Sequence, residues 1–105
     1  MIITEYADVL NVGIRINYYH NQDTRWSAAF ENCETKEDIT DPCLTGEYGN
    51  GHTPEEAQYN YVQQIKGKVL VFNAMDENKK REYLAPNNLE VSKNNTFLNF
   101  PPGVR

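Results

Sequence analysis

Two cysteines, two histidines, a single tryptophan and no surplus of positive charge leave several kinds of function out of reach of this chain. Cys33 and Cys43 are too few for a disulfide framework, and with no secretory signature beside them they read as two thiols. His20 precedes Asn21 and His52 precedes a helix start, so neither stands at metal-ligand spacing to a cysteine or to the other histidine. No cofactor or metal is expected. No stretch approaches the roughly 18 apolar residues that cross a bilayer. Glu5 and Asp8 also stand where a signal peptide would be basic. The expectation is a cytoplasmic chain with no membrane partner. A formal charge of −5 argues against nucleic acid, whose binders carry a clustered positive footprint. The ten Lys and Arg are spread out, with local concentrations only at Lys66 and Lys68 and over residues 79–81. No G-x-S-x-G elbow, Walker-type lysine loop or paired histidine is present, so no enzyme is expected. The fifteen carboxylates are too many for any pair to be diagnostic.

What the chain does have is enough apolar matter for one modest core: 39% apolar and 11% aromatic residues in 105. Over residues 9–19, Val12, Ile14, Ile16 and Tyr18 alternate with Gly13, Arg15, Asn17 and Tyr19, the pattern of a half-buried strand. After a polar turn over residues 20–24, Trp26, Ala28 and Phe30 resume the alternation, which predicts a hairpin. The charged residues 34–42 read as a loop, and residues 43–48 offer a short third strand.

The clearest local signal is a turn over residues 49–52 running into Thr53-Pro54-Glu55-Glu56. Threonine suits the N-cap, proline the first helical position, and Glu56 a capping box that reaches back to the cap amide. Ala57, Tyr61 and Ile65 then share a helical face with Val62 beside it, and Gly67 supplies a left-handed stop. Residues 68–75 are apolar on both faces, as in a central strand covered by the helix on one side. Residues 80–84 return as an edge strand that Pro86 ends. The predicted fold class is α+β: an antiparallel sheet of about five strands, one main helix packed on one face, and an extended C-terminal tail. The core domain covers residues 1–86 and the tail residues 87–105. The tail mixes Asn with Leu89, Val91, Phe97, Leu98 and Phe100, too apolar for a solvated end and too broken for a helix. It packs either on its own domain or on a neighbouring subunit, and a thin sheet with an open face favours the second.

The chemical supply is unusual in its amides and rings: thirteen Asn and seven Tyr. Amides hydrogen-bond nucleobase edges, rings stack on bases, and Arg forks clamp phosphate. The constellations singled out are Arg25 with Trp26, Phe72 with Asn73, and Arg105 after the aromatic residues 97–100. For any one of these the plain alternative is an aromatic in the core and an Asn in a turn. The glycine-rich residues 46–51 ahead of a helix suggest a phosphate cradle, but Glu55 and Glu56 already occupy the positive helix end and would repel an anion.

Two resemblances follow from these residues. The stretch Gly49-x-Gly51-x-Thr53-Pro54-Glu55-Glu56-Ala57, set between a strand pair and another strand, resembles the small HicB-type antitoxins, though residues 87–105 lack the DNA-binding part such proteins carry. Residues 17–21 (Asn-Tyr-Tyr-His-Asn), Arg25-Trp26, the cap over residues 53–57 and residues 66–74 together resemble the phage-encoded anti-Thoeris sponge proteins. That resemblance implies a homo-oligomer that sequesters a cyclic ADP-ribose-type immune signal, in the host cytoplasm, without degrading it. Placed by chemistry, Arg25 and Arg105 would meet phosphate, with Trp26 beside the first. Phe72, Tyr83 or Phe97 would stack on adenine, and Asn88 or Asn99 would contact ribose or base. The competing expectation is a HicB-like or inhibitor-type module whose acidic surface neutralises a basic protein partner.

Overall fold

The computed structural model describes residues 1–20, 23 and 25–91. It opens with a helix that the sequence reading passed over, α1 (Ile3–Leu10). Its four buried residues, Ile3, Tyr6, Ala7 and Leu10, follow helical spacing, and Asn11 ends it in a left-handed conformation (φ 57°). Asparagine tolerates that region better than most side chains.

Two strands follow as a hairpin, β1 (Ile14–Tyr18) and β2 (Trp26–Phe30), in the register Ile14–Phe30 through Tyr18–Trp26. After only Glu31 and Asn32 the chain enters β3 (Cys33–Lys36). Asn32 takes a positive φ of 53° and turns the chain out of one sheet and into another. β4 (Gly49–Gly51) then leads into α2 (Pro54–Ile65), followed by β5 (Val69–Phe72) and β6 (Arg81–Leu84).

The five-strand sheet with one helix is thus corrected. Among the described residues two antiparallel three-stranded sheets form, ordered β1-β2-β4 and β3-β5-β6, with two helices. Three local readings account for the difference. Residues 33–36 belong to a strand rather than the charged loop, because Glu34 and Lys36 share one face and leave Cys33 and buried Thr35 on the other. Residues 43–48 contribute only a bridge, in which the amides of Thr35 and Thr45 each donate to the other's carbonyl at 2.8 Å. The Gly-Asn-Gly segment read as a turn is instead the third strand of the first sheet.

That segment can be a strand because its glycines meet a helix. A Cβ on Gly49 would sit 2.8 Å from Tyr61 Cα and closer still to the Ala57 carbonyl; one on Gly51 would sit 2.5 Å from the Ala57 amide. α2 therefore lies directly on β4 and β2, backbone against backbone. The Asn60 side-chain amide adds a hydrogen bond to the Asn50 carbonyl.

The expected start of α2 holds. Thr53 Oγ1 accepts from the Glu56 amide at 3.1 Å and Pro54 takes the first helical position. Glu56 reaches one residue further back than a standard capping box, accepting from the His52 amide at 3.1 Å. Gly67 has φ +80° after the helix, as the stop requires. β5 is buried at every residue as the central strand of its sheet, and β6 is an edge. Between the sheets and helices, Phe30 is the hub, 6.3 Å from the Tyr6 ring, 5.6 Å from Tyr61 and 5.8 Å from Phe72. Residues 87–91 return to the start of the chain, where Ile3 donates to the Glu90 carbonyl and Glu90 to the Met1 carbonyl, both at 2.9 Å. No helix among the described residues is long and apolar enough to cross a membrane.

Gly51→Ala is expected to lower stability by about 2 kcal/mol or more, since the added methyl meets helix backbone that cannot rotate away. Gly46→Ala, with nothing within 4 Å of the added carbon, leaves the melting temperature unchanged within about a degree. Thermal denaturation followed by circular dichroism compares the two, and equal melting points would contradict the close approach of helix and strand.

Candidate functional site

With α2 on one side of the first sheet, the side chains that alternate to the other side are left facing outward. The register decides which they are. Asn17 pairs with Ser27 and Ser27 with Asn50, so three polar side chains form one row straight across all three strands. Arg15 and Ala29 form the next row, and Tyr19 lies beyond Asn17 on the same face. The segment Gly46-Glu47-Tyr48 stands along one side as a wall. The result is a polar cup of about 530 Å³, open on one side.

The wall is held from below. Thr45 is fixed to Thr35 by the paired amide bonds and by the Thr35 hydroxyl, 3.2 Å from the Thr45 carbonyl. Lys68 reaches Glu47 at 3.8 Å and Glu37 at 3.5 Å, which offsets the one carboxylate of the wall. Arg15 is the cationic side chain of the cup lining, beside the amides of Asn17 and Asn50, the Ser27 hydroxyl and the Tyr19 and Tyr48 rings. Such a set can donate to phosphate or carbonyl oxygens, pair with a base edge and stack on a ring. Among the described residues no hydrogen bond joins Ser27 to a histidine or carboxylate that would activate it as a nucleophile.

The residues expected from sequence fall in separate places. Arg25 and Trp26 come together at the loop end of the hairpin, where Arg25 Nη1 donates to the Tyr18 hydroxyl at 3.3 Å and the Trp26 and Tyr18 rings lie 5.0 Å apart. His20 stands edge-on to the same tyrosine at 5.0 Å. Phe72 is 1% exposed and is core, wedged between Phe30 and Tyr83, so its expected stacking surface is occupied by the protein's own rings. Tyr83 is half-buried against Phe72 with the Arg81 guanidinium 5.9 Å from its centroid. Asn88 is on a third surface, its carbonyl accepting from the Met1 amino group at 2.9 Å. Phe97, Asn99 and Arg105 lie outside the described residues. None of the cup residues is among the binding residues expected from sequence, although Asn17 and Tyr19 belong to the stretch 17–21 that carries the resemblance and, with Arg15, form the polar half of the alternation that identifies β1.

A second depression, about 720 Å³, runs between the outer side of α2 and residues 87–91. Glu55, Glu56 and Glu90 line it with Tyr59 and Leu89, and Glu55 Oε2 is buried without a hydrogen-bond partner among the described residues. Three carboxylates against the single ammonium of Lys66 make it a poor seat for an anion and a better one for a cation.

Neither cysteine belongs to either depression. Cys43 is exposed, whereas Cys33 is half-buried and burial pushes its thiol up to about 12, against partial relief from the Tyr61 hydroxyl. Tyr61, whose hydroxyl accepts from the Phe30 amide at 3.1 Å, is likewise raised, by burial first and by Cys33 next. A raised thiol is a poor nucleophile near neutral pH. The chain matches no protein-family model, no curated protein sequence and no solved structure.

The sign of the Cys33 shift fixes a pH dependence. The neutral thiol is favoured in the folded state, so its contribution is complete below the ordinary value of 9.0 and is lost as pH rises from there towards about 12. Urea midpoints measured across that window should fall in the wild type and fall less in Cys33→Ala. Titration with a thiol-disulfide reagent near pH 8 should find Cys43 fast and Cys33 slow. Two equally fast thiols would contradict the burial of Cys33.

Proposed function

We propose that this chain is a binding protein that holds a small phosphate-bearing nucleotide in the cup of the first sheet, without chemical turnover. The observation that carries the reading is the row Asn17–Ser27–Asn50 flanked by Arg15 and Tyr19 on the face that α2 leaves open. Arg15 is the phosphate partner, the two asparagines serve base edge or ribose, and Tyr19 or Tyr48 stacks on the base. The ligand class that fits this set and the resemblance of residues 17–21, 25–26, 53–57 and 66–74 is a cyclic nucleotide of the cyclic ADP-ribose type. The role is that of a phage-type anti-defence sponge, keeping an immune signal from its receptor in the host cytoplasm.

Such a role is demanding. Nanomolar sequestration requires about −12 kcal/mol. A ligand of about 35 heavy atoms gaining roughly −0.3 kcal/mol per atom reaches about −10 kcal/mol. A cup open on one side falls short of the enclosure that high efficiency needs, so a homo-oligomer in which a second copy adds contacts to the ligand belongs to the proposal.

A second reading, neutralisation of a basic protein partner, draws on the carboxylates of the α2 depression, Glu55 with its unpartnered oxygen above all. Its mark would be a complex weakened by salt and by Glu55→Gln but indifferent to Arg15.

Isothermal titration with cyclic ADP-ribose isomers and cyclic dinucleotides tests the first reading. Nanomolar to low micromolar binding is expected, weakened about 10- to 100-fold in Arg15→Ala, the loss of a hydrogen-bonded charge. Tyr19→Ala and Tyr48→Ala would identify the stacking ring, at about 1–3 kcal/mol. Mass spectrometry after denaturing the complex should return the nucleotide intact. Absence of heat and of any melting shift with all probes, or recovery of a hydrolysed product, would refute it.

A further inference from the structure

Among the described residues β1 ends its sheet with one edge unpaired. The hairpin bonds fix which of its backbone groups are free. The Tyr19 amide donates to the Arg25 carbonyl at 2.6 Å and the Glu31 amide to the Gly13 carbonyl at 2.9 Å. In an antiparallel ladder the bonded positions alternate, so odd residues of β1 turn their amides and carbonyls towards β2. Ile14, Ile16 and Tyr18 turn theirs outward, and none of the three has a further backbone partner among the described residues.

The same three side chains are apolar and poorly covered. α2 spans β2 and β4, and β1 lies outside its main footprint. Ile14 still touches the core, but Ile16 is 37% exposed and Tyr18 42%. Proteins usually guard a free edge with lysine, proline, a bulge or a covering segment. Over Ile14–Tyr18 the sequence Ile-Arg-Ile-Asn-Tyr has neither lysine nor proline, the ladder to β2 runs through it without a bulge, and its one charge, Arg15, stands on the face opposite the two isoleucines.

We propose that this edge is a self-recognition strand: two copies pair antiparallel about a two-fold axis at Ile16, joining their first sheets into one of six strands. The chain's own pattern selects the register. Pairing about Ile16 sets Ile14 against Tyr18 of the second copy and Ile16 against itself, each pair exchanging bonds between outward-turned groups. On the opposite face Arg15 then meets Asn17 of the second copy, and Tyr19 lies over Gly13, which has no side chain to obstruct it. Pairing about Arg15 or about Asn17 would also match the outward groups, but the first would oppose two guanidinium groups, which is unfavourable, and the second would set Ile14 against His20 in place of Tyr18.

The inference rests on the cup reading for its functional meaning, because the paired strands place two cups side by side on one continuous face. Arg15 and Asn17 of each copy then sit between the cups, within reach of one ligand bearing two phosphates. A strand pair buries less than the roughly 800 Å² per partner of a stable complex, so association without ligand is expected in the micromolar range. A ligand spanning both cups would tighten it by linkage.

Sedimentation velocity over the micromolar range tests the pairing with no nucleotide present. A reversible monomer–dimer equilibrium is expected, shifted at least about tenfold towards monomer by Ile16→Pro and Ile16→Lys. The proline removes an outward amide that β2 does not use, and the lysine sets like charges opposite each other, so both should keep the wild-type fold by circular dichroism. Exchange of the Ile16 amide should slow as protein concentration rises. A wild type that stays monomeric throughout, a dimer that survives both substitutions, or slow Ile16 exchange at every concentration (an edge already covered by another part of the chain) would overturn the pairing. Dimerisation without nucleotide binding would leave the pairing standing and remove the sponge reading; tight binding by a monomer would remove the pairing, and with it the oligomer of the sponge reading, and leave the cup as the binding site.

Discussion

The contact on which this architecture depends is the absence of side chains between β4 and α2. Ordinary packing of a helix on a sheet keeps about 10 Å between backbones. Here Gly49 and Gly51 let the helix settle onto the strand itself, with Asn60 fastened to the Asn50 carbonyl. That contact fixes the first sheet's orientation. One face is sealed by α2, and the alternation of a three-residue strand sends Asn50 to the other. The polar row across β1, β2 and β4 is a consequence of two glycines that flank its third member and face the opposite way.

A second constraint joins the halves of the molecule. β2 and β3 are nearly one strand, broken at Glu31 and Asn32, where the positive φ of Asn32 sends the chain into the other sheet. Phe30 sits just before that corner and touches aromatic side chains from α1, α2 and β5. Cys33 sits just after it, close enough to Tyr61 for each to influence the other's ionisation. Both sheets share this aromatic hub, so the outward faces they present are set by one core rather than two.

Much of this was legible in the residues, and what was not has physical causes. Thr53-Pro54 announced the start of α2, and the alternation of residues 12–19 separated the two faces of β1 correctly. The unbroken apolar run at residues 69–72 marked a central strand. α1 escaped notice because eight residues with few strong helix signals resemble a loop entering a strand. β3 escaped because Glu34 and Lys36 made it look solvated, although only one of its faces is buried. Gly49-Asn50-Gly51 escaped for a deeper reason: glycine weakens an isolated strand and favours a turn, and only the approach of another backbone reverses that preference. The cup followed the same logic. Arg15, Asn17 and Tyr19 were visible as one face, but Ser27 and Asn50 joined them only through strand pairing. Phe72 and Tyr83, attractive as flat rings, were claimed by the core.

The wall of the cup is short and pinned at both ends. Thr45 is bonded on both sides of its peptide to Thr35, Gly49 begins the strand that the helix holds, and Lys68 tethers Glu47 between them. Three residues strung between two such anchors have too little slack to swing as a lid. On the proposed reading guests would enter and leave by the unwalled side. Discrimination among them would then come from the fixed spacing of the amides on the floor rather than from any closing motion, and little ordering entropy would be lost on capture.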